Sequence, residues 1–365
     1  MRHVRSVTRN CAAPSGRTRA RRPRTVLWVA LLLALAAPLA AQQVLPIGIV
    51  DFYGLRRVSE SDARRALGIA EGDSLVPDSM APALRRLRAL PGVADARLTP
   101  VCCESDGRWA LFVGVAEHGA PAVALDSAPH GAVRLPDAIV RLGAALQDTL
   151  LAAVQRGQSA EHDSAGHAFF DEPGLHAIQE QFLAYAAANV PELIAVLHRS
   201  GDAAHRALAA ELLGYAPDVG QVVPDLVQAV HDADGDVRNN AMRALLVIAA
   251  WAQQHPETGI RVPATPFIDM LNSLVWTDRN KSSYALYELT ASRDSSLLAE
   301  LRAQALPALL DIARWRSVGH AFVGYMVLGR IEGVPDETLQ EAWRRGDRRQ
   351  VIDAAVRIIA ADGSD

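Results

Sequence analysis

The chain has 365 residues, half of them hydrophobic, which is enough for more than one domain and a sizeable core. Its 37 basic residues are all arginine except Lys281, and 41 acidic residues bring the formal net charge to −4. Residues 1–41 hold eight of the arginines and no acid, so the remainder carries 29 basic against 41 acidic residues, a formal charge of −12 that repels nucleic acid and anionic lipid and excludes a nucleic-acid function.

The eight arginines, from Arg2 to Arg24, precede an apolar run from Val26 to Ala37, and small residues at Ala40 and Ala41 stand before Gln42. A basic segment, a short apolar stretch and small residues at a cleavage point make a secretory signature. The run from Val26 to Ala41 has 16 residues, short of the roughly 20 that a spanning helix needs. Residues 1–41 are therefore expected to be a cleaved signal peptide and the mature chain to be periplasmic or secreted. An uncleaved anchor is the alternative, and membrane contact is expected only in that case. Beyond residue 41 the cysteines are Cys102 and Cys103. Adjacent Cα atoms lie about 3.8 Å apart, below the usual disulfide window of about 4.4–6.8 Å. The expected state is one buried and one exposed thiol; a strained disulfide between neighbours, or a bond to another chain, would make the pair a redox element.

Residues 45–118 read as a small α+β domain. Ile47, Val50 and Phe52 lead to Gly54 in an extended stretch. Ser59 with Asp62 marks a capped helix start, and Gly68 a stop. Met80, Leu84 and Leu87 recur at helical spacing within a second helix from about Asp78 to Leu90, ended by Pro91-Gly92. Val93 to Val101 and Trp109 to Glu117 read as strands joined by the turn Glu104-Ser105-Asp106-Gly107. Leu111, Val113 and Val115 share one face of the second of these strands.

The order strand, helix, helix, strand, strand resembles a POTRA domain. The likeness is carried by Gly54 after alternating apolar residues, the Val58-Ser59 helix start, Gly72, Leu87 with Pro91-Gly92-Val93, and Val113 to Glu117. The resemblance implies an envelope module that binds partners, in part by adding a strand to a sheet edge. Pro100 lacks an N–H and places its strand at an edge or bulge.

Residues 119–174 read as a linker with one helix, Asp137 to Gln155, and a polar loop from Gly157 to Gly174. In and just after the loop, His162, Asp163, His167 and His176, with Glu161, Asp171 and Glu172, form the one group worth testing as metal ligands. Their spacing matches no strong zinc signature. No cofactor is expected.

Residues 175–361 read as paired helices. Asp202, Asp234, Asp278 and Asp347 each open a helical run and have an alanine seven residues on, at Ala209, Ala241, Ala285 and Ala354. Arg206 and Arg238 sit four residues after the first two aspartates; Ser282 and Val351 stand at that spacing in the later units, and Ser317 with Gly324 replaces the pattern in the fourth pair. Aspartate caps a helix start, the small residue admits a close neighbour, and the arginine reaches the aspartate of its own or an adjacent unit. The segments Asp202 to Ala210 and Asp234 to Ala241 resemble HEAT repeats, a resemblance that implies an α-solenoid binding proteins on its inner surface. Trp251, Trp276, Trp315 and Trp343 are expected in the core or at an interface.

The chain is thus expected to be multidomain: a β-α-α-β-β module, then an all-α solenoid. The expected role is that of an exported, non-catalytic scaffold for protein partners. The alternatives are a metal-binding enzyme or regulator using His162–His176, and a membrane-anchored envelope assembly factor.

Overall fold

The first sheet is built from strands that alternate cleanly between two buried faces. The computed structural model describes residues 46–102, 104 and 106–362; the expected signal peptide and Cys103 lie outside the described residues. Strand β1 (Ile47–Tyr53) is followed by helices α1 (Glu60–Leu67) and α2 (Pro77–Arg88), then strands β2 (Val93–Val101) and β3 (Trp109–Glu117). The sheet order is β1-β3-β2, with β1 parallel and β2 antiparallel to β3. Ser59 caps α1 by accepting from the Asp62 amide, and Gly68 ends it in the left-handed conformation that glycine favours. Leu111, Val113 and Val115 of β3 join Val50, Ala63, Leu67, Ala83 and Leu87 in one core under α1 and α2. The alternate residues Ala110 and Phe112, with Tyr53, point the other way, into the core of the helical half.

That second face docks on the helices. Phe112 stacks on Trp276 at 4.8 Å and meets Trp315 edge-on at 4.9 Å. The Tyr53 hydroxyl donates to the Leu274 carbonyl at 2.8 Å. Buried Asp51 accepts from the amides of Arg316 at 2.7 Å and Ser317 at 3.2 Å. Val44–Asp365 accordingly form one compact unit.

The segment after β3 is packed along the turns of the helical pairs. The Asp126 amide donates to the His231 carbonyl at 2.7 Å, and Gly201 donates to the Gly131 carbonyl at 2.7 Å. Arg134 pairs with Asp202 at 2.7 Å, and the Leu135 amide bonds His205 Nδ1 at 2.9 Å. Helix α3 (Asp137–Gln155) then packs on the helix that follows the next hairpin. The polar stretch expected as a loop is instead an antiparallel hairpin of β4 (Glu161–Ser164) and β5 (His167–Phe170), turning through Ala165 and Gly166 at positive φ. All four β5 residues are buried and all four β4 residues exposed, so the polar outer strand masks the pattern in the sequence.

The helices continue as α4 (Pro173–Arg199), α5 (Ala203–Leu213), α6 (Val219–Ala229), α7 (Gly235–Gln254), α8 (Thr265–Met270), α9 (Trp276–Leu289), α10 (Ser295–Gln304), α11 (Leu306–Arg314), α12 (Val318–Ile331), α13 (Asp336–Arg344) and α14 (Arg349–Asp362). Helix α4 is kinked at Asn189 (φ −132°, ψ 20°), two residues before Pro191, which divides it as the sequence suggests. The second helices of successive pairs pack in series: α5 on α7, α7 on α9, and α9 on α12. Helix α10 escapes sequence reading because it buries only Leu301 and so has no apolar stripe. In the fourth pair Gly324 permits close approach: a Cβ there would lie 2.6 Å from Ile312 Cγ2 of α11. Among the described residues, no helix is long and apolar enough to cross a membrane.

Candidate functional site

The aspartates and arginines of the helical pairs are structural. Asp202 and Asp234 cap α5 and α7, accepting from the amides two or three residues on. Asp347 accepts from the Arg349 amide at the start of α14. Arg206, 1 % exposed, sends Nε and Nη2 to the two oxygens of Asp232 in the next turn at 2.8 Å each, and Nη1 to the Ser200 carbonyl. Arg238 repeats this one pair later, with a fork on Asp278 and Nη1 on the Asp232 carbonyl. Each arginine therefore pairs forward and anchors the carbonyl six residues behind it.

This pattern corrects the expected register of the third pair. Asp278 is not a cap: Val275 is, and Asp278 is buried inside α9, where it receives Arg238 and the Ser273 hydroxyl. The arginine equivalent to Arg206 and Arg238 is Arg279, whose Nε donates to the Ser273 carbonyl, again six residues behind. Ser282, not Ala285, takes the small buried position seven after the cap. The spacing from Ser200, Asp232 and Ser273 to each arginine carries this signal in the sequence.

The histidine segment brings His162 and His176 together, stacked 6.0 Å apart, but does not gather His167 or Asp163 with them into a metal site. His162 bonds Asp171 at 2.7 Å, buried His167 bonds the Gly214 carbonyl at 2.8 Å, and His176 Nδ1 lies 3.2 Å from the Phe170 carbonyl. Glu161 pairs with Arg243 at 2.9 Å, and Asp163 is exposed on β4. Among the described residues, no three His, Cys, Asp or Glu side chains are grouped to hold a metal. Cys102 is disulfide-bonded, which overturns the expected free thiol; its partner lies outside the described residues.

The β2 edge is poorly suited to strand addition. Ala96 donates its N–H to the Asp95 carboxylate at 2.8 Å and its carbonyl accepts from Arg88. Two-residue alternation puts Leu98 and Pro100 on that same outward side, and Pro100 has no N–H. Only the Leu98 backbone stands between a side-chain-satisfied residue and a proline, an edge blunted against pairing.

The second helices also carry a half-buried row that the fold covers only in part, at Leu208 by Gly143 of α3 and at Arg243 by Glu161 of β4. Positions six and nine after the caps of α5, α7 and α9 form this row: Leu208 and Glu211, Asn240 and Arg243, Lys281 and Tyr284; in α12 the same positions, Val323 and Met326, are buried. The row is legible in the sequence only once the caps are aligned, because Asp278 offers a false start for the third helix. Lys281, the one lysine of the chain, makes no hydrogen bond or ion pair among the described residues. Burial, then the nearby Arg243, pushes its ammonium below the ordinary lysine value, while Glu161 opposes the shift. Glu211 and Glu288 are raised chiefly by burial.

No curated protein matches the chain. Residues 190–257, spanning the end of α4 to the end of α7, match the family model described as HEAT repeats. Repeats of this kind mediate protein–protein interaction, and the ladder of Arg206 and Arg238 lies inside the matched region.

Proposed function

We propose that this chain is an exported, non-catalytic scaffold whose half-buried α5–α7–α9 row holds a protein partner, with the helical pairs arranged as a short solenoid. The observation that carries this reading is Lys281: the sole lysine sits in that row, partly desolvated and without an acceptor of its own. A buried cation is costly unless it is paired, and a docked acidic group supplies the pair. The β-α-α-β-β module, read as POTRA-like, acts here as a buttress, because one face of its sheet is committed to Trp276 and Trp315. Export rests on the leader-like residues 1–41 and on the acidic charge that remains without them.

Photo-crosslinking in the producing cell tests the docking face. A crosslinker at Asn240 or Tyr284 should trap one protein that a crosslinker at exposed Arg302 of α10 does not. Equal trapping from both sides, or none, contradicts the reading. N-terminal sequencing of the mature protein tests export: a start near Gln42 supports a soluble exported form, and an intact leader supports a membrane-anchored one.

A further inference from the structure

The arginine ladder is closed at two rungs and open at the third. Arg206 forks onto Asp232 in the turn before α7, and Arg238 onto Asp278 in the first turn of α9. At Arg279 that acceptor is gone. The two acceptors stand at different places, Asp232 two residues before the α7 cap and Asp278 three residues after the α9 cap; the corresponding places around the α12 cap hold Trp315, which seats the sheet, and His320. Asp311 is the nearest carboxylate, but Arg56 takes both its oxygens at 2.9 and 3.0 Å and the Gly54 amide takes one of them again. Arg279 Nη1 stands 3.7 Å from Asp311 Oδ2, beyond hydrogen-bond range, and has no acceptor. Nη2 likewise donates to no described residue.

Arg279 is only 5 % exposed, and its guanidinium lies 4.7 Å from the Tyr53 ring centroid. It lines a cavity of about 330 Å³ where the sheet meets the helices, together with Gly54, Arg56, Leu274, Gln304, Pro307 and Glu117, whose carboxylate is taken by the Arg56, Arg57 and Val58 amides. That volume suits a ligand of a few heavy atoms with an apolar end. Arginine matches a carboxylate bidentately, as the first two rungs show within the chain itself.

We propose that Arg279 receives a carboxylate from outside the chain, carried by a small organic acid or by the free C-terminus of a peptide. The ligand completes the third rung and bridges α9 to the Gly54–Arg56 loop. The site stands apart from the α5–α7–α9 row and does not depend on the scaffold role.

Calorimetric titration of the full-length protein at fixed ionic strength tests this. The probes are butyrate against butyramide, and acetyl-Ala-Ala-Val with a free acid against its C-terminal amide. Saturable binding of butyrate alone identifies a small-acid site, and binding of the acid peptide at least about tenfold tighter than its amide identifies a peptide terminus. Two variants follow. Arg279→Gln removes the fork, and Gln304→Glu adds a like charge at the exposed rim without touching the ladder. Each is expected to weaken binding at least about tenfold. Circular dichroism monitors folding, and if Arg279→Gln does not fold, Gln304→Glu decides alone. Absence of saturable binding to the unaltered protein, or affinity unchanged in the folded variants, overturns the assignment.

Discussion

Arg238 and Asp278 are 2 % and 0 % exposed, so their charges are compensated only by each other and by the groups around them. Arg238→Met should destabilise the protein by about 3–5 kcal/mol, because it leaves a buried carboxylate without its partner. Adding Asp278→Leu should recover most of that loss, since an apolar pair of similar volume needs no compensation. Urea unfolding of the two variants checks both statements. His320 carries a pH dependence. Its ring packs against Trp276 and Phe112, and burial lowers its pKa from 6.5 to about 4. The unfolded chain then binds a proton that the folded chain does not, so this contribution is present above pH 6.5 and is lost as pH falls towards 4. The midpoint of urea unfolding should fall over that window, and less so in His320→Gln. At this scale the sequence shows the pairing chemistry but not the partner. Asp232 and Trp315 differ in role because of what lies across the turn, and no local pattern records that.

Among the elements, the helices that carry a broad apolar stripe are the ones legible in the sequence. Helices α5, α7 and α12 are recognisable from their caps and small residues, whereas α10 and the β4–β5 hairpin are hidden by their polar exposed sides. The third pair is misread by three residues because Asp278 imitates a cap while acting as the acceptor for Arg238. Capping and acceptor roles both call for aspartate, so spacing from the arginine discriminates where residue type does not. Close packing of α11 on α12 depends on Gly324. Alanine in a helix is usually better than glycine by about 1 kcal/mol. Here the added Cβ meets Ile312 Cγ2 at 2.6 Å, so Gly324→Ala should instead destabilise, by about 1–3 kcal/mol. A shorter side chain opposite, Ile312→Val, should return part of the loss, and thermal denaturation of the single and double variants measures it.

Across the whole molecule, the order of elements is readable and their assembly is not. The strand–helix–helix–strand–strand sequence of residues 47–117 and the paired helices beyond residue 190 appear as expected. Nothing in the spacing of Tyr53 and Phe112 distinguishes a solvent-facing side of a sheet from one that docks on Trp276 and Trp315, more than 160 residues away. A sheet with one exposed face alternates apolar and polar residues. Here Ala110, Phe112 and Gly114 interrupt that alternation in β3, and this is the one trace the docking leaves in the sequence. The docked sheet and the 118–136 segment are both built onto the helical pairs. Hydrogen exchange read by mass spectrometry on residues 50–57 and 311–320 tests that arrangement most directly. The Gly54, Arg316 and Ser317 amides, bonded to Asp311 and Asp51 across the junction, should be protected in the intact protein. Both segments should lose protection together in Phe112→Ala, with α5 and α7 unchanged. Rapid exchange at both segments in the unaltered protein, or loss at one without the other in the variant, would contradict a sheet built onto the helices.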